Sequence, residues 1–373
     1  MMMSNLPQDL VEEILSRVPL TSTRAVRSTC KKWNALSKDQ SFANKHIGNI
    51  VATPEERDFL MIMENKAYLI GVNLHGIQNN NVDLSIKRKG KLINLDHPDQ
   101  IFKVFHCNGL LLCLSGKTID DDVIITLVVL FNPYWGKHKW FKRTNNYGRF
   151  DKFAFGYDKS CGSHKILRLF GDYLNNIEIY NLSSDSDSWM VPSVTLEWDI
   201  VDMHDDVSLK GNTYWYAKDK ESEDYYLLCF DFTRERFGPR LPLPQPFINE
   251  GCGSLSVVGE EKLAVLLQHW GASEMEIWVT NKIEPDEVSW SKFLKVYKRP
   301  HCFYVANFLI EEEKKVAVVF DDYETKSFKS NIVSNAYIIR ENGYFRTVDL
   351  SEYPYTTRCG LACSYVPSSV QIM

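Results

Sequence analysis

Four groupings of reactive side chains could in principle do chemistry. Cys359 and Cys363 have a spacing that a metal ion could use. No second pair of ligands lies near them in sequence, so buried strand cysteines account for them better. His106-Cys107 suggests a thiol–imidazole pair, but adjacent residues of a strand point to opposite faces and would stay apart. Asp120-Asp121-Asp122, Asp205-Asp206 and Asp321-Asp322 could supply the two carboxylates of a glycosidase. Each flanks an apolar run, where keeping a loop soluble is the commoner role. Gly251-Cys252-Gly253 is two glycines in a turn, and there is no nucleophile elbow, Walker loop or dinucleotide fingerprint. The sequence therefore predicts no catalytic, cofactor-binding or metal-binding residues. What remains is recognition.

The stretch best suited to recognition runs from Leu6 to His46. Pro7 fits a first helical turn, which has no intrahelical N–H bond to lose. Asp9, Glu12 and Glu13 place negative charge near the positive end of the helix dipole. Leu10, Val11, Ile14, Leu15 and Val18 form one apolar helix face, and Pro19 stops it. Thr21, Ser22 and Thr23 offer capping hydroxyls to a second helical stretch. There Val26, Cys30, Trp33 and Leu36 recur three or four residues apart, between Arg24, Arg27, Lys31 and Lys32. So small a unit cannot bury that much apolar surface within itself. Two coverings stay open: the rest of this chain as a further layer, or another polypeptide.

These residues resemble the F-box motif in type and spacing: Leu6-Pro7, Leu10, Ile14-Leu15, Arg17-Val18-Pro19, Arg27, Cys30-Lys31 and Trp33. Thr23 and Thr29 depart from it, standing where the family usually has aliphatic residues. The resemblance implies a small helical unit that docks on a Skp-family adaptor of a cullin-based ubiquitin ligase. It implies that Leu6, Pro7, Leu10, Ile14, Leu15, Val18, Pro19, Leu20, Val26, Cys30 and Trp33 form that unit and its adaptor face.

Composition sets the limits. A chain of 373 residues can hold one large domain plus a small one, and 44% hydrophobic with 13% aromatic residues argues for folded structure. The net charge of −5 leaves no nucleic-acid footprint. Residues 1–50 carry +3, which leaves −8 for the remainder, so the helical unit would suit an acidic partner surface. The longest apolar run, Val123–Phe131, is far short of the ~20 residues that span a bilayer. With no secretory leader in view and nine scattered cysteines, the expectation is an intracellular protein of cytoplasm and/or nucleus, away from membranes.

After a Gly/Pro-bearing connection at 47–57, short apolar runs alternate with Gly, Asn, Asp and Pro clusters, the pattern of many short strands. Phe131, Tyr180, Phe230 and Trp278 end similar runs at intervals of 49, 50 and 48 residues, each ahead of a second aromatic run. A weaker copy lies at Ala336–Ile339, and Ala67–Leu74 fits a first one. A period near 50 with about four strands fits a kelch-like β-propeller blade, although the kelch glycine doublet is missing; a large β-sandwich is the alternative. Trp135, Trp215, Trp270 and Tyr323 fall near turns and serve either as binding anchors or as packing between blades.

Gly109-Leu-Leu-Leu-Cys113, Leu130-Phe-Asn-Pro133, Phe155-Gly-Tyr-Asp158, Lys210-Gly-Asn-Thr-Tyr-Trp215 and Phe230-Asp231 through Phe237 resemble, in that order, the F-box-associated domain of a large plant family. The fold expected is mainly β with a small N-terminal all-α unit, divided as 1–48 and 49–373. The resemblance implies a non-catalytic substrate-recognition subunit of an SCF-type (Skp–cullin–F-box) ubiquitin-protein ligase. Its partners would be the adaptor, through it a cullin, and a protein target of unknown identity. Two other readings stand beside it: a propeller hydrolase with a helical accessory, and an F-box binding module without ligase function.

Overall fold

The structure is a computed structural model that describes residues 6–51, 57–63, 66–73, 85–92, 100–119, 122–141, 151–171, 176–184, 188–192, 199–200, 206–218, 224–244, 251–269, 274–296, 305–321, 335–341, 345–349 and 362–372. Four helices lead the chain: α1 (Gln8–Leu15), α2 (Thr23–Thr29), α3 (Lys31–Leu36) and α4 (Gln40–Val51), with a 3-10 turn at Leu20–Ser22. Pro7 is the residue before α1 rather than its first helical residue. The expected second helix is two, split at Cys30, whose extended backbone (φ −156°, ψ 159°) breaks the run. The expected hydroxyl caps are not made at Ser22; Thr23 Oγ1 instead donates to Leu20 O at 2.8 Å and braces the 3-10 turn. Residues 47–51, expected in a connection, belong to α4, which runs past the division at residue 48.

The strands form six separate antiparallel sheets arranged as blades. Blade 1 holds β1 (Arg57–Met63), β2 (Lys66–Asn73) and β3 (Ser85–Lys91); blade 2 holds β4 (Gln100–Cys107), β5 (Leu110–Ile119), β6 (Asp122–Asn132) and β7 (Lys137–Phe141). Blade 3 holds β8 (Lys152–Asp158), β9 (Ser163–Phe170) and β10 (Asn176–Asn181), plus one bridge between Ile179 and Met190. Blade 4 is built on β13 (Asn212–Lys218) and β14 (Tyr225–Asp231). Its inner edge is split into β11 (Asp199–Ile200) and β12 (Asp206–Leu209), and its outer edge into β15 (Arg236–Phe237) and β16 (Leu241–Pro242). Blade 5 comprises β17 (Gly251–Val258), β18 (Lys262–His269), β19 (Met275–Glu284) and β20 (Glu287–Val296). Blade 6 comprises β21 (Val305–Glu311), β22 (Val316–Asp321), β23 (Asn335–Arg340) and β24 (Phe345–Asp349).

The ring closes when β25 (Ala362–Ser364), from the far end of the sequence, pairs with β1 (Leu60 opposite Cys363) as the innermost strand of blade 1. This is a six-bladed propeller, and the sandwich alternative falls: six sheets side by side, not two face to face. Stacked blades cover both faces of a middle strand, so its sequence reads as a continuous apolar run rather than an alternation. Leu110 to Leu114 in β5 and Val128 to Leu130 in β6 are accordingly buried without a break.

The motif pieces find their reason at the seams. Asn108-Gly109 and Lys210-Gly211 have positive φ (48° and 75°, 52° and 83°), as two-residue hairpin turns demand. Gly211 O accepts from Tyr157 N at 2.8 Å, joining blades 4 and 3. A Cβ on Gly156 would lie 2.0 Å from the Phe232 ring, so that glycine admits the phenylalanine into the seam. Trp215, a candidate anchor, is buried in the same seam with Phe230 and Phe237, and Trp135 packs beneath the helices; Trp270 and Tyr323 lie outside the described residues.

Candidate adaptor-binding face

The four helices lie against the seam between blades 1 and 2. Leu20 and Ala43 join Leu60, Ala67, Leu69, Ile101 and Tyr134 in one core, with Ile47, Ile50 and Trp135 packed on it. Polar contacts fix the angle. His46 Nε2 lies 2.6 Å from Val18 O and Nδ1 lies 3.2 Å from the Tyr134 hydroxyl. The first must be an N–H donating to the carbonyl; in the neutral ring that burial favours, the second nitrogen accepts from the phenol. Burial, reinforced by Arg27, pushes the His46 pKa below its ordinary value, although the Val18 carbonyl opposes this. Arg27 stacks its guanidinium over the rings of Tyr134 and Trp135, 5.3 and 5.2 Å from their centroids, and its Nε donates to Ser37 Oγ at 3.2 Å.

The opposite side of the same helices is bare. Leu10 and Ile14, four apart and hence on one stripe of α1, are 51% and 45% exposed, and Leu6, just ahead of the helix, is 39% exposed. Among the described residues they are three of only six large hydrophobics so exposed, the others being Met190, Val191 and Val370. Pro7, Pro19 and Cys30 are exposed as well; Val18, Val26 and Trp33 are half-buried, and Leu15 and Leu20 face inward. The eleven residues singled out by the sequence thus divide into an outer set that another chain can reach and an inner set that holds the unit together. Cys30 Sγ accepts from Trp33 N at 3.5 Å, so this cysteine both breaks the helix and starts α3. At the rim, Glu13 pairs with Arg17 (2.6 Å) and Lys45 (3.1 Å), which hold its carboxyl below the usual range.

The groups weighed for catalysis do not assemble. Cys107 is buried and its thiol is pushed up to about 12, while the His106 ring, held near 4 by loss of water, turns the other way and accepts from Gly109 N at 3.1 Å. Asp206 is paired with Lys103 across the inner strands, while Asp122 and Asp321 belong to blades 2 and 6; Asp120, Asp121, Asp205 and Asp322 lie outside the described residues. Cys359 also lies outside them, and no metal-ligating group of three occurs among the described residues. None of the described helices is long and apolar enough to cross a membrane.

Sequence reasoning missed His46, Tyr134 and Asn132. A buried histidine in the middle of an amphipathic helix carries no local signal, but Asn132 does: an amide closing an unbroken apolar run needs hydrogen-bond partners once it is buried.

A six-bladed propeller with a helical unit that keeps one apolar stripe open is the architecture of an F-box protein. The F-box domain family matches residues 3–45, and the F-box associated beta propeller domain family matches residues 58–372. An Arabidopsis thaliana F-box protein is 64% identical over all of both chains. A putative F-box/kelch-repeat protein of the same plant is 55% identical, covering 98% of this chain and 99% of that one. The chain belongs to the plant F-box proteins that carry an F-box-associated propeller domain. Proteins of this kind are typically non-catalytic, their F-box generally binding a Skp-family adaptor and their propeller a substrate.

Proposed function

We propose that this chain is the substrate-recognition subunit of an SCF-type ubiquitin-protein ligase. The outer stripe of the helical unit docks on a Skp-family adaptor, and through it on a cullin, while the propeller holds a protein target. The unit ending near residue 48 and the β part that follows are its two working parts, acting inside the cell in cytoplasm or nucleus. No bond is made or broken on this chain. Its contribution is to hold a target beside a charged ubiquitin-conjugating enzyme, so that transfer becomes effectively intramolecular.

The observation that carries this reading is the division of one small helical unit into a sealed side and an open one. Leu6, Leu10 and Ile14 keep about half their surface in water although burying the rest of each would gain on the order of 1 kcal/mol. Pro7, Pro19 and Cys30 extend that surface; Val18, Val26 and Trp33 back it, and Leu15 and Leu20 anchor it. Leu10→Asp and Ile14→Asp would set a carboxylate in the contact and should weaken capture of a purified Skp-family adaptor by about 100-fold or more, roughly 2.7 kcal/mol. Wild-type capture by both variants, at unchanged folding, refutes the assignment of this face. Assembly with adaptor, cullin and RING subunit, read as ubiquitin-chain formation, then separates a ligase subunit from a binding module that never engages a cullin.

A further inference from the structure

The segment that follows β25, residues 365–372, leaves its own blade and crosses blade 2. It is held along that path. The Tyr365 ring packs edge-on against His106 at 5.3 Å, and Val366 O bonds to the same imidazole. At Gly109 it runs so close that a Cβ there would lie 2.2 Å from Ser368 Cβ, at a position whose φ of +75° already favours glycine. Asn132 then grips it. The residue is fully buried; its Nδ2 donates to Ser368 O (3.1 Å) and Val370 O (2.5 Å), while Oδ1 accepts from Tyr134 N (2.8 Å) and Trp135 N (3.3 Å). Both amide hydrogens and the amide oxygen are spent, and a flipped amide would set oxygen against two carbonyls. Trp135 Nε1 adds a bond to Ser369 O at 3.0 Å.

The same segment reaches the helices. Ser369 Oγ donates to Asn44 Oδ1 of α4 at 2.8 Å, and Trp135, tied to Ser369 by its N–H, lies beneath the Arg27 guanidinium of α2. Tyr134, tied to Asn132 by its backbone, carries the hydroxyl that meets His46. Among the described residues, the His46–Tyr134, Arg27–Trp135 and Asn44–Ser369 contacts between helices and propeller thus each pass through a residue that Asn132 or the segment holds in place.

We propose that residues 365–372 are a clasp that sets the angle of the helical unit on the propeller, and that Asn132 is the positioning residue that locks it. The functional consequence rests on the ligase reading above: the clasp fixes where a propeller-bound target stands relative to the adaptor. On this account Gly109 and Asn132, in two of the motif pieces of the sequence, serve the joint between the domains as well as their own blade.

The test uses the full chain with spin labels at Ser41→Cys, on the exposed face of α4, and at the exposed Cys161, one on each side of the joint, and with Cys30, Cys252, Cys302, Cys359 and Cys363 replaced by serine. Asn132→Asp keeps the acceptors for Tyr134 and Trp135 but aims a charged oxygen at two carbonyls. The parent should show one narrow distance, and Asn132→Asp should at least double the width of the distribution. Adaptor capture and amide protection of blades 4–6 should not change. Trp135→Phe, which keeps the ring under Arg27 but drops the bond to Ser369, and Ser369→Ala should widen it less. Parent widths in all three overturn the clasp. Should Asn132→Asp lose protection throughout the propeller, the two milder variants decide: widening supports the clasp and parent widths reject it. In a reconstituted ligase, self-ubiquitination should spread over more propeller lysines in the widened variants. Widened distances with no ubiquitin transfer even by the parent chain would sink the ligase reading and leave the clasp standing.

Discussion

The inner and outer sides of the helical unit are built from the same residue types and do opposite work. Leu20, pointing inward, is 6% exposed in a core shared with two blades, whereas Leu10, pointing outward, is 51% exposed and lies outside that core. Both are leucines within three residues of a proline. What separates them is not hydrophobicity but company. The inner side adds groups with directional demands: the His46 imidazole between Val18 O and the Tyr134 hydroxyl, and Arg27 over two aromatic rings. The outer side has no such fittings, only a smooth stripe rimmed by Glu13, Arg17 and Lys45. A side destined to stay put carries fixed geometry; a side kept for a visitor offers area.

The largest effect should come from exchanging the two sides' fates. Leu20→Asp places a carboxylate in an apolar core, at several kcal/mol, and should release the helices. Leu20→Ala should cost about 2–5 kcal/mol through lost burial and the cavity left. Leu10→Ala should move stability by no more than about 0.5 kcal/mol, as exposed substitutions do. Urea unfolding of the three variants measures this directly. Equal destabilisation by Leu10→Ala and Leu20→Ala would erase the distinction between the sides.

Much of this arrangement can be read in the sequence, for reasons that differ by element. The repeat is visible because Phe131, Tyr180, Phe230 and Trp278 all sit in the third strands of blades 2 to 5 (β6, β10, β14 and β19). Most of β10 and β14 is buried, and β19 keeps Met275, Ile277, Val279 and Ile283 buried, so each run reads as apolar. Ala67 in β2 and Tyr337 in β23 occupy the same rank in blades 1 and 6, where looser spacing weakens the signal. Ring closure cannot be read: β25 is three residues, Ala-Cys-Ser, whose role is set by a partner about 300 positions away. The sealed side of the helices is hidden for the same reason, since periodicity gives a face but not what covers it. Buried charge is hidden too. Lys165 and Arg168 interrupt an apolar strand, and only the fold supplies Asp158, Glu235, Asp151 and Glu178 within 2.5 to 3.0 Å. Such pairs survive burial because each charge is met.

Acid should act on one side alone. In the native state burial holds the His46 pKa below its ordinary value of 6.5; the unfolded chain takes up the proton at about that ordinary value. Between those two values the unfolded state binds more protons, so the stability of the joint falls as pH drops through and below about 6.5. His106, beside Tyr365, and His164, in blade 3, are both held near 4 by burial and act with the same sign. The outer stripe carries no histidine. The protection factors of the α4 amides, their exchange corrected for the intrinsic chemical rate, should therefore fall between pH 7 and 5, and His46→Phe should remove part of that fall. An α4 exchange profile that follows only the intrinsic chemical rate across this range would dismiss the titration.

The smallest effect tests whether the sealed side extends to α1 itself. Asn49 of α4 donates from Nδ2 to Ser16 Oγ at 2.9 Å and to Ser16 O at 3.3 Å, at the end of the helix that carries the open stripe. Ser16 is fully buried, so losing the amide leaves its carbonyl short of a donor where water enters poorly. Asn49→Ala should cost about 1 kcal/mol in urea unfolding. It should also loosen α1 against α4 without touching Leu10 or Ile14. If the stripe must be presented at a fixed angle, adaptor capture falls by a few fold although every contact residue is intact. If capture is unchanged while the stability loss appears, the stripe alone is what the adaptor reads, and the sealed side matters for holding the propeller rather than for shaping the open one.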